Sequence, residues 1–385
     1  MFAERSNWNL EANRLSEALA RRRAAGTVVV DLTAANPTEC GFEYDGRAIL
    51  EALASPSVLR YSPDARGLRS AREAVAGYYA ARGVEVPVDD MVLTTSTSEA
   101  YSFVFRALCN AGDEVLIPEP SYPLFSFLAE IQDVKLVRYP LVYDYGWQIN
   151  FSALESAITE RTRVAIVVHP NNPTGHFVKA AEVERLNRIC AARDLALIAD
   201  EVFLDFGLTE EARFSFAGNA GALTFTTSGL SKISGLPQMK AAWLITSGPE
   251  KLRVAALARL EVIADTYLSM NAPVQAAVPA FLEQRDAFQK QVLKRVRANL
   301  AELDRQLALQ KVCTRLVVEG GWYVVLRVPA TRPDEELAIE LLERRGVYVH
   351  PGHFYDFPAD GYLVLSLITG EREFQQGVQL LLSVL

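Results

Sequence analysis

Lys232 closes the segment Ser228-Gly229-Leu230-Ser231-Lys232, directly after the apolar run LTFTT. An amine set there among small residues can form an imine with a carbonyl. The chain has 31 arginines but only eight lysines, none before Lys135, so a lysine in such a setting draws notice. Asp200 and Glu201 end the apolar run LALIA. A carboxylate buried there is costly unless a cation or a donor meets it. Thr94-Thr95-Ser96-Thr97-Ser98-Glu99-Ala100 follows MVL and leads into a helical period. Hydroxyls and backbone N–H groups at a helix start form an anion site suited to a phosphate. Plain helix capping by Ser96 or Ser98 is the competing reading.

Two further clusters share this position. Ser121-Tyr122-Pro123 follows EVLIPEP and sets an aromatic on a rigid turn. His169-Pro170-Asn171-Asn172-Pro173-Thr174-Gly175 follows VAIVV and exposes a carboxamide. Other chemistries lack their motifs. There is no G-x-x-x-x-G-K-[ST] loop, no G-x-G-x-x-G after a strand, no HExxH and no G-x-S-x-G elbow. A Ser-x-x-Lys dyad needs serine at position 229, which is Gly229. His169 and His176 lack metal-ligand spacing, so no metal is expected. A phosphate cradle, a stacking aromatic, an amide donor, a carboxylate and a lysine recur in order. A flat phosphorylated heterocycle that forms an imine needs those five, which points to pyridoxal 5'-phosphate.

Such clusters need strand ends to present them, where α/β folds place ligands. Segments 28–32, 91–95, 114–120, 135–141, 164–170, 195–201, 222–228 and 241–247 read as strands, several apolar on consecutive positions, as when both sheet faces are covered. Helical stretches at 69–81, 98–110, 154–159 and 181–193 separate many of them. This alternation predicts an α/β fold with a mostly parallel sheet. A helical region at 249–310, interrupted near 269–273, leads to strands at 313–319, 321–328, 347–350 and 362–368 with helices at 334–345 and the end of the chain. That reads as a smaller α+β unit, joined by the first 35 residues.

With 385 residues and 50% hydrophobic content, the chain suits two domains with large cores. A net charge of −8 disfavours nucleic acid and anionic membrane faces as partners. Cys40, Cys109, Cys190 and Cys313 are scattered, which fits a reducing compartment. No apolar run approaches the ~18 residues of a membrane span. The polar segment MFAERSNWNLEANRLSEALARRR does not read as a secretory signal. A cytoplasmic enzyme is expected.

RYSPDARGLRSAREAVAGYY, PEPSYPLF, HPNNPTG, ADEVF and SGLSK stand in the order found in the fold-type I, class I/II aminotransferases, which the chain resembles over nearly its whole length. DLTAANPTECGFE and TTSGLSK look nearest to the alanine-aminotransferase-like branch. The resemblance implies an aspartate-aminotransferase-like fold. A large domain (36–270) with a mostly parallel seven-stranded sheet between helices would bind pyridoxal phosphate. A smaller α+β domain would combine residues 1–35 and 271–385. It implies that Lys232 carries the cofactor as an imine and then shuttles a proton. Asp200 would keep the pyridine nitrogen protonated, Tyr122 would stack on the ring, and Asn172 would donate to the ring hydroxyl. Ser96, Thr97, Ser98 and Lys240 would hold the phosphate, Ser231 would also contact the cofactor, and the Ala35 backbone would meet the substrate carboxylate. Tyr61 would reach the active site of a partner in a homodimer. The partners are otherwise a small-molecule amino donor and a keto acid, with no nucleic acid and no membrane.

Three positions depart from the family. Phe203 stands where a tyrosine usually donates to the ring oxygen. The loss of that donor is expected to raise the pH at which the cofactor imine titrates. Lys240 stands for an arginine and loses its fork geometry, with an ordinary surface lysine as the competing reading. The arginine that clamps the substrate carboxylate falls on Val364, and no arginine lies between Arg345 and Arg372. His353 is the nearest substitute in sequence, with a structural histidine as the competing reading. The leading expectation is an aminotransferase, with Val364 pointing to a substrate of non-standard type. A lyase or oxidase on the same scaffold, and a non-catalytic cofactor-binding regulator, are the rivals.

Overall fold

The computed structural model describes residues 2–209, 214–268 and 270–385. The segments between the polar clusters fold as strands β1 (Val30–Asp31), β2 (Met91–Thr94), β3 (Glu114–Glu119), β4 (Lys135–Tyr143), β5 (Trp147–Ile149), β6 (Thr162–Val168), β7 (Ala196–Asp200), β8 (Thr224–Gly229) and β9 (Ala242–Ser247). Strands β2 to β9 form one sheet in the order β2-β9-β8-β7-β6-β3-β4-β5. The five strands β8-β7-β6-β3-β4 run parallel, and β9 pairs antiparallel with both β8 and β2. The sequence predicted seven strands. The eighth, β5, is a three-residue edge strand turned back on β4 through Tyr145 at φ 51°. It is too short to carry a periodic signal.

Consecutive apolar residues in the strands are explained by cover on both faces. Val164, Ile166 and Val168 of β6 join one core with helices Thr97–Leu108 and Glu250–Tyr267, while Ala165 and Val167 join another. Strand alternation thus divides one apolar run between two cores. A third core gathers Met91, Leu93, Trp243 and Ile245 against helices Arg69–Ala80 and Ala272–Glu283. The long helical region is three helices, because Gln284 separates Ala272–Glu283 from Arg285–Leu307.

After that region come β10 (Thr314–Arg315), β11 (Tyr323–Arg327), β12 (Val347–Tyr348), β13 (His350–Pro351) and β14 (Tyr362–Ser366). Four of them form an antiparallel sheet, β10-β11-β14-β13, and β12 pairs in parallel with β1. This sheet touches the large one through loops. Ser121 N–H donates to the Tyr355 carbonyl at 2.9 Å, and Gly207 bridges to Gly320. Gly175 lies where that approach is tightest. Its φ is +72°, and a Cβ there would meet Val318 Cγ2 at 2.4 Å and the Gly320 carbonyl at 2.6 Å. Only glycine fits both the left-handed backbone and the space.

Candidate active site

The ends of β2, β6, β7 and β8, with the turn after β3, surround a cavity of about 260 Å³. Its lining includes Ala35, Ser96, Thr97, Ser98, Tyr122, Asn172, Asp200, Phe203, Ser231 and Lys232. Ten of the positions singled out in the sequence therefore meet in one place, from loops widely separated along the chain. Lys240 does not line it. That side chain is exposed, on a residue at φ 51° after the turn Pro237–Met239. Tyr61 is 79% exposed and also stands outside the cavity. Val364 is buried in β14 and does not line the cavity. His353 is exposed and packs on Phe354.

Strand alternation separates the adjacent acids Asp200 and Glu201. Asp200 turns to the cavity, whereas Glu201 turns away and accepts hydrogen bonds from Ser215 Oγ at 2.7 Å and Phe216 N–H at 2.6 Å. Burial pushes both upward, Asp200 to about 6 and Glu201 to about 7. Asp200 is relieved by hydrogen bonds from Val202 N–H at 3.1 Å and Tyr101 O–H at 3.0 Å, and by the charge of Lys232. Lys232 is lowered to about 8, chiefly because burial disfavours the ammonium. Its Nζ lies 4.8 Å from the Trp322 ring centroid and 5.5 Å from that of Phe203. Among the described residues no group takes a hydrogen bond from this amine.

Opposite this pair, the helix Thr97–Leu108 points its N-terminus at the cavity. Ser96 caps it by accepting from Glu99 N–H at 3.1 Å, and the Glu99 carboxylate accepts from Thr95 N–H at 2.6 Å. Capping by Ser96 does not remove these residues from the cavity, because Ser96, Thr97 and Ser98 also line it, at a helix start where backbone N–H groups suit an anion. Gly229 forms part of the floor. A Cβ there would meet the Ala241 carbonyl and Ala242 Cβ, both at 2.8 Å, so β8 and β9 close only around a glycine. Tyr122 sits on the turn after β3, backed edge-on by Phe125 with ring centroids 6.4 Å apart.

The sequence did not reveal Tyr323, Phe125, Trp322 or Tyr101. Tyr323 and Phe125 line the cavity, Trp322 flanks Lys232, and Tyr101 supports Asp200 from behind. One signal was available for Tyr101. It lies one helical turn after Thr97 and so shares its face. Tyr323 comes from the second sheet, and only the packing of the two sheets brings it here.

The residues present fit pyridoxal phosphate. The buried Asn172 carboxamide, a carboxylate and a lowered lysine share the cavity, and hydroxyls stand at a helix N-terminus beside it. Among the described lining residues Lys232 is the only cation. Val364 pairs with Val325 and with His350, so these three share a sheet face with Tyr323 and Ser366. Burial lowers His350 to about 4, which leaves it neutral at pH 7. Arg295 and Arg372 line a separate open cleft of about 970 Å³ that shares Ala35.

A family model described as "Aminotransferase class I and II" matches residues 5–369. The alanine aminotransferase of Mycobacterium tuberculosis is 30% identical over 381 residues, which covers 94% of this chain and 86% of that protein. The glutamate-pyruvate aminotransferase AlaA of Escherichia coli is 30% identical over 274 residues, 71% of this chain and 66% of that one. The solved alanine aminotransferase of Pyrococcus furiosus superposes with a TM-score of 0.89 at 21% identity, over 100% of this chain and 99% of that chain. Among the described residues, no helix is long and apolar enough to cross a membrane.

Proposed function

The chain belongs to the class I and II aminotransferase family, and from that premise we propose that it is a pyridoxal-phosphate-dependent transaminase. The observation that carries the reading is the pairing of Lys232 with Asp200 in one cavity, where each favours the other's charged form.

Pyridoxal phosphate, when bound, supplies an aldehyde that condenses with amines and a ring that accepts the electron pair left on the donor carbon. Asp200 is mostly a carboxylate at pH 7 and would hold a protonated ring nitrogen. Asn172 would donate its amide to the ring oxygen, while Phe203 offers that oxygen only an apolar ring. Ser96, Thr97 and Ser98 would hold the phosphate with the helix N–H groups. Tyr122 covers one face of the cavity. Lys232 Nζ, unprotonated in appreciable part near pH 7 because burial lowers it to about 8, would take the proton from the donor carbon and return it.

The donor is read as one not held by a charged carboxylate clamp. Among the described lining residues there is no cation besides Lys232, and Val364 and neutral His350 occupy the sheet face beside Tyr323. Tyr61, exposed next to the exposed Leu59, is read as reaching a second copy of the chain in a homodimer. Reconstitution of purified protein with pyridoxal phosphate, followed by a spectral screen of amino donors, tests the whole reading. Visible absorbance that is lost in Lys232→Ala, and amino transfer that depends on an added keto acid, are expected. Release of ammonia and keto acid without an acceptor would favour a lyase or oxidase instead. High catalytic efficiency with alanine, aspartate or glutamate would overturn the donor assignment.

A further inference from the structure

Tyr101 does not line the cavity, yet it is 3% exposed and its O–H donates to Asp200 Oδ2 at 3.0 Å. It projects from the second turn of helix Thr97–Leu108, the helix whose start would hold the phosphate. Its ring packs edge-on against Phe125 at 5.2 Å, and Phe125 in turn backs Tyr122. One side chain behind the cavity therefore touches the acid and supports the aromatic face. We infer that Tyr101 is a positioning residue, whose hydroxyl keeps Asp200 ionised and turned toward the ring nitrogen of the cofactor. This rests on the reading in the preceding subsection.

The physical argument is one of sign. A hydrogen bond donated to a carboxylate favours its charged form. Burial has already raised Asp200 to about 6, so each remaining donor counts. Val202 N–H is the other donor, and Lys232 is the facing cation. Beyond burial, the Asp200 charge in turn raises its neighbours Glu201 and Tyr122, and the Glu201 carboxylate is taken up by Ser215 and Phe216. The Tyr101 phenol itself is raised well above its ordinary range by burial, so it stays a donor at every working pH.

Removing the hydroxyl raises the pKa of Asp200 in the cofactor-free protein. Binding must then displace a proton from the carboxyl at any pH below that value. A hydrogen bond to a charged group corresponds to roughly one pKa unit, a factor of about ten. Dissociation constants for pyridoxal phosphate, measured from pH 5.5 to 9 on Tyr101→Phe and on the parent, test this. Protonation of the free cofactor cancels in the ratio of the two constants. That ratio is expected near one at pH 9, climbing toward about tenfold at pH 5.5. A ratio that is flat across pH, at one or above it, overturns the inference. Phe125→Leu loosens the ring packing but keeps the hydroxyl, and it is expected to shift affinity by one factor at every pH. A pH-dependent rise in that variant would assign the effect to packing and overturn the inference as well. If the parent protein binds no pyridoxal phosphate at all, it is the functional reading that fails.

Discussion

The end of the eight-stranded sheet gives the cavity Lys232, Asp200, Asn172 and the hydroxyls of Ser96–Ser98, all ionisable or polar. The four-stranded sheet gives it Tyr323, and behind Tyr323 on the same face stand Val364 and a neutral His350. The first wall carries what a phosphorylated pyridine needs. The second lacks the cation that an α-carboxylate calls for. On the proposed reading, the difference teaches that cofactor recognition and donor recognition would rest on separate elements, so one could change while the other stays.

The sharpest way to break that comparison is at Lys232. Lys232→Ala should lower transamination by about a thousandfold or more, the scale of a lost positioned acid–base group, in a turnover assay with added keto acid. A loss under tenfold would remove the polar wall from the chemistry. Next comes Asp200→Asn, which removes a charged hydrogen-bond partner. Cofactor affinity at pH 8 should fall roughly ten- to a hundredfold, read by equilibrium titration. An unchanged affinity would show that the acid does not face the ring.

The donor wall is tested by Val364→Arg. Val364 is 1% exposed, so the new guanidinium would be buried without a carboxylate from the protein. A loss of about 3 kcal/mol in denaturant unfolding is expected, with no gain in kcat/KM for alanine. A tenfold gain would mean that the wall can accept a clamp after all. The pH dependence follows from burial of Lys232. Its folded value of about 8 lies below that of a free lysine, so its reactivity toward an amine reagent in cofactor-free protein should rise through pH 8, read by peptide mass spectrometry. A midpoint above pH 10 would contradict the desolvation argument. The smallest effect is expected at Phe203→Tyr. The new hydroxyl would stabilise the ring oxyanion and lower the pH at which the visible band titrates, by about one unit or less. No change would mean that the Phe203 ring does not face that oxygen.

Legibility in the sequence followed this division. The polar wall lies at the ends of long apolar runs, each followed by a turn rich in serine, proline, glycine or asparagine, so its residues stand out one by one. Asp200 and Glu201 were visible as a pair, but their opposite directions were not. Tyr101 shares a helix face with Thr97, but that spacing does not reveal a phenol aimed at an acid 99 positions away. The short strand β5 escaped for want of periodic length, and the break at Gln284 because no glycine or proline stands at it.

Taken alone, the order of residues determined the layered α/β architecture and the polar strand-end groups, Lys232 among them, that could do chemistry, because strand period and turn chemistry are local. Only the folded chain decided which of those groups meet, what stands behind Asp200, and how neutral the face beside Val364 is. Those outcomes depend on the packing of two sheets and on burial, which shifts charge by taking groups out of water, and neither is written in the spacing of neighbours.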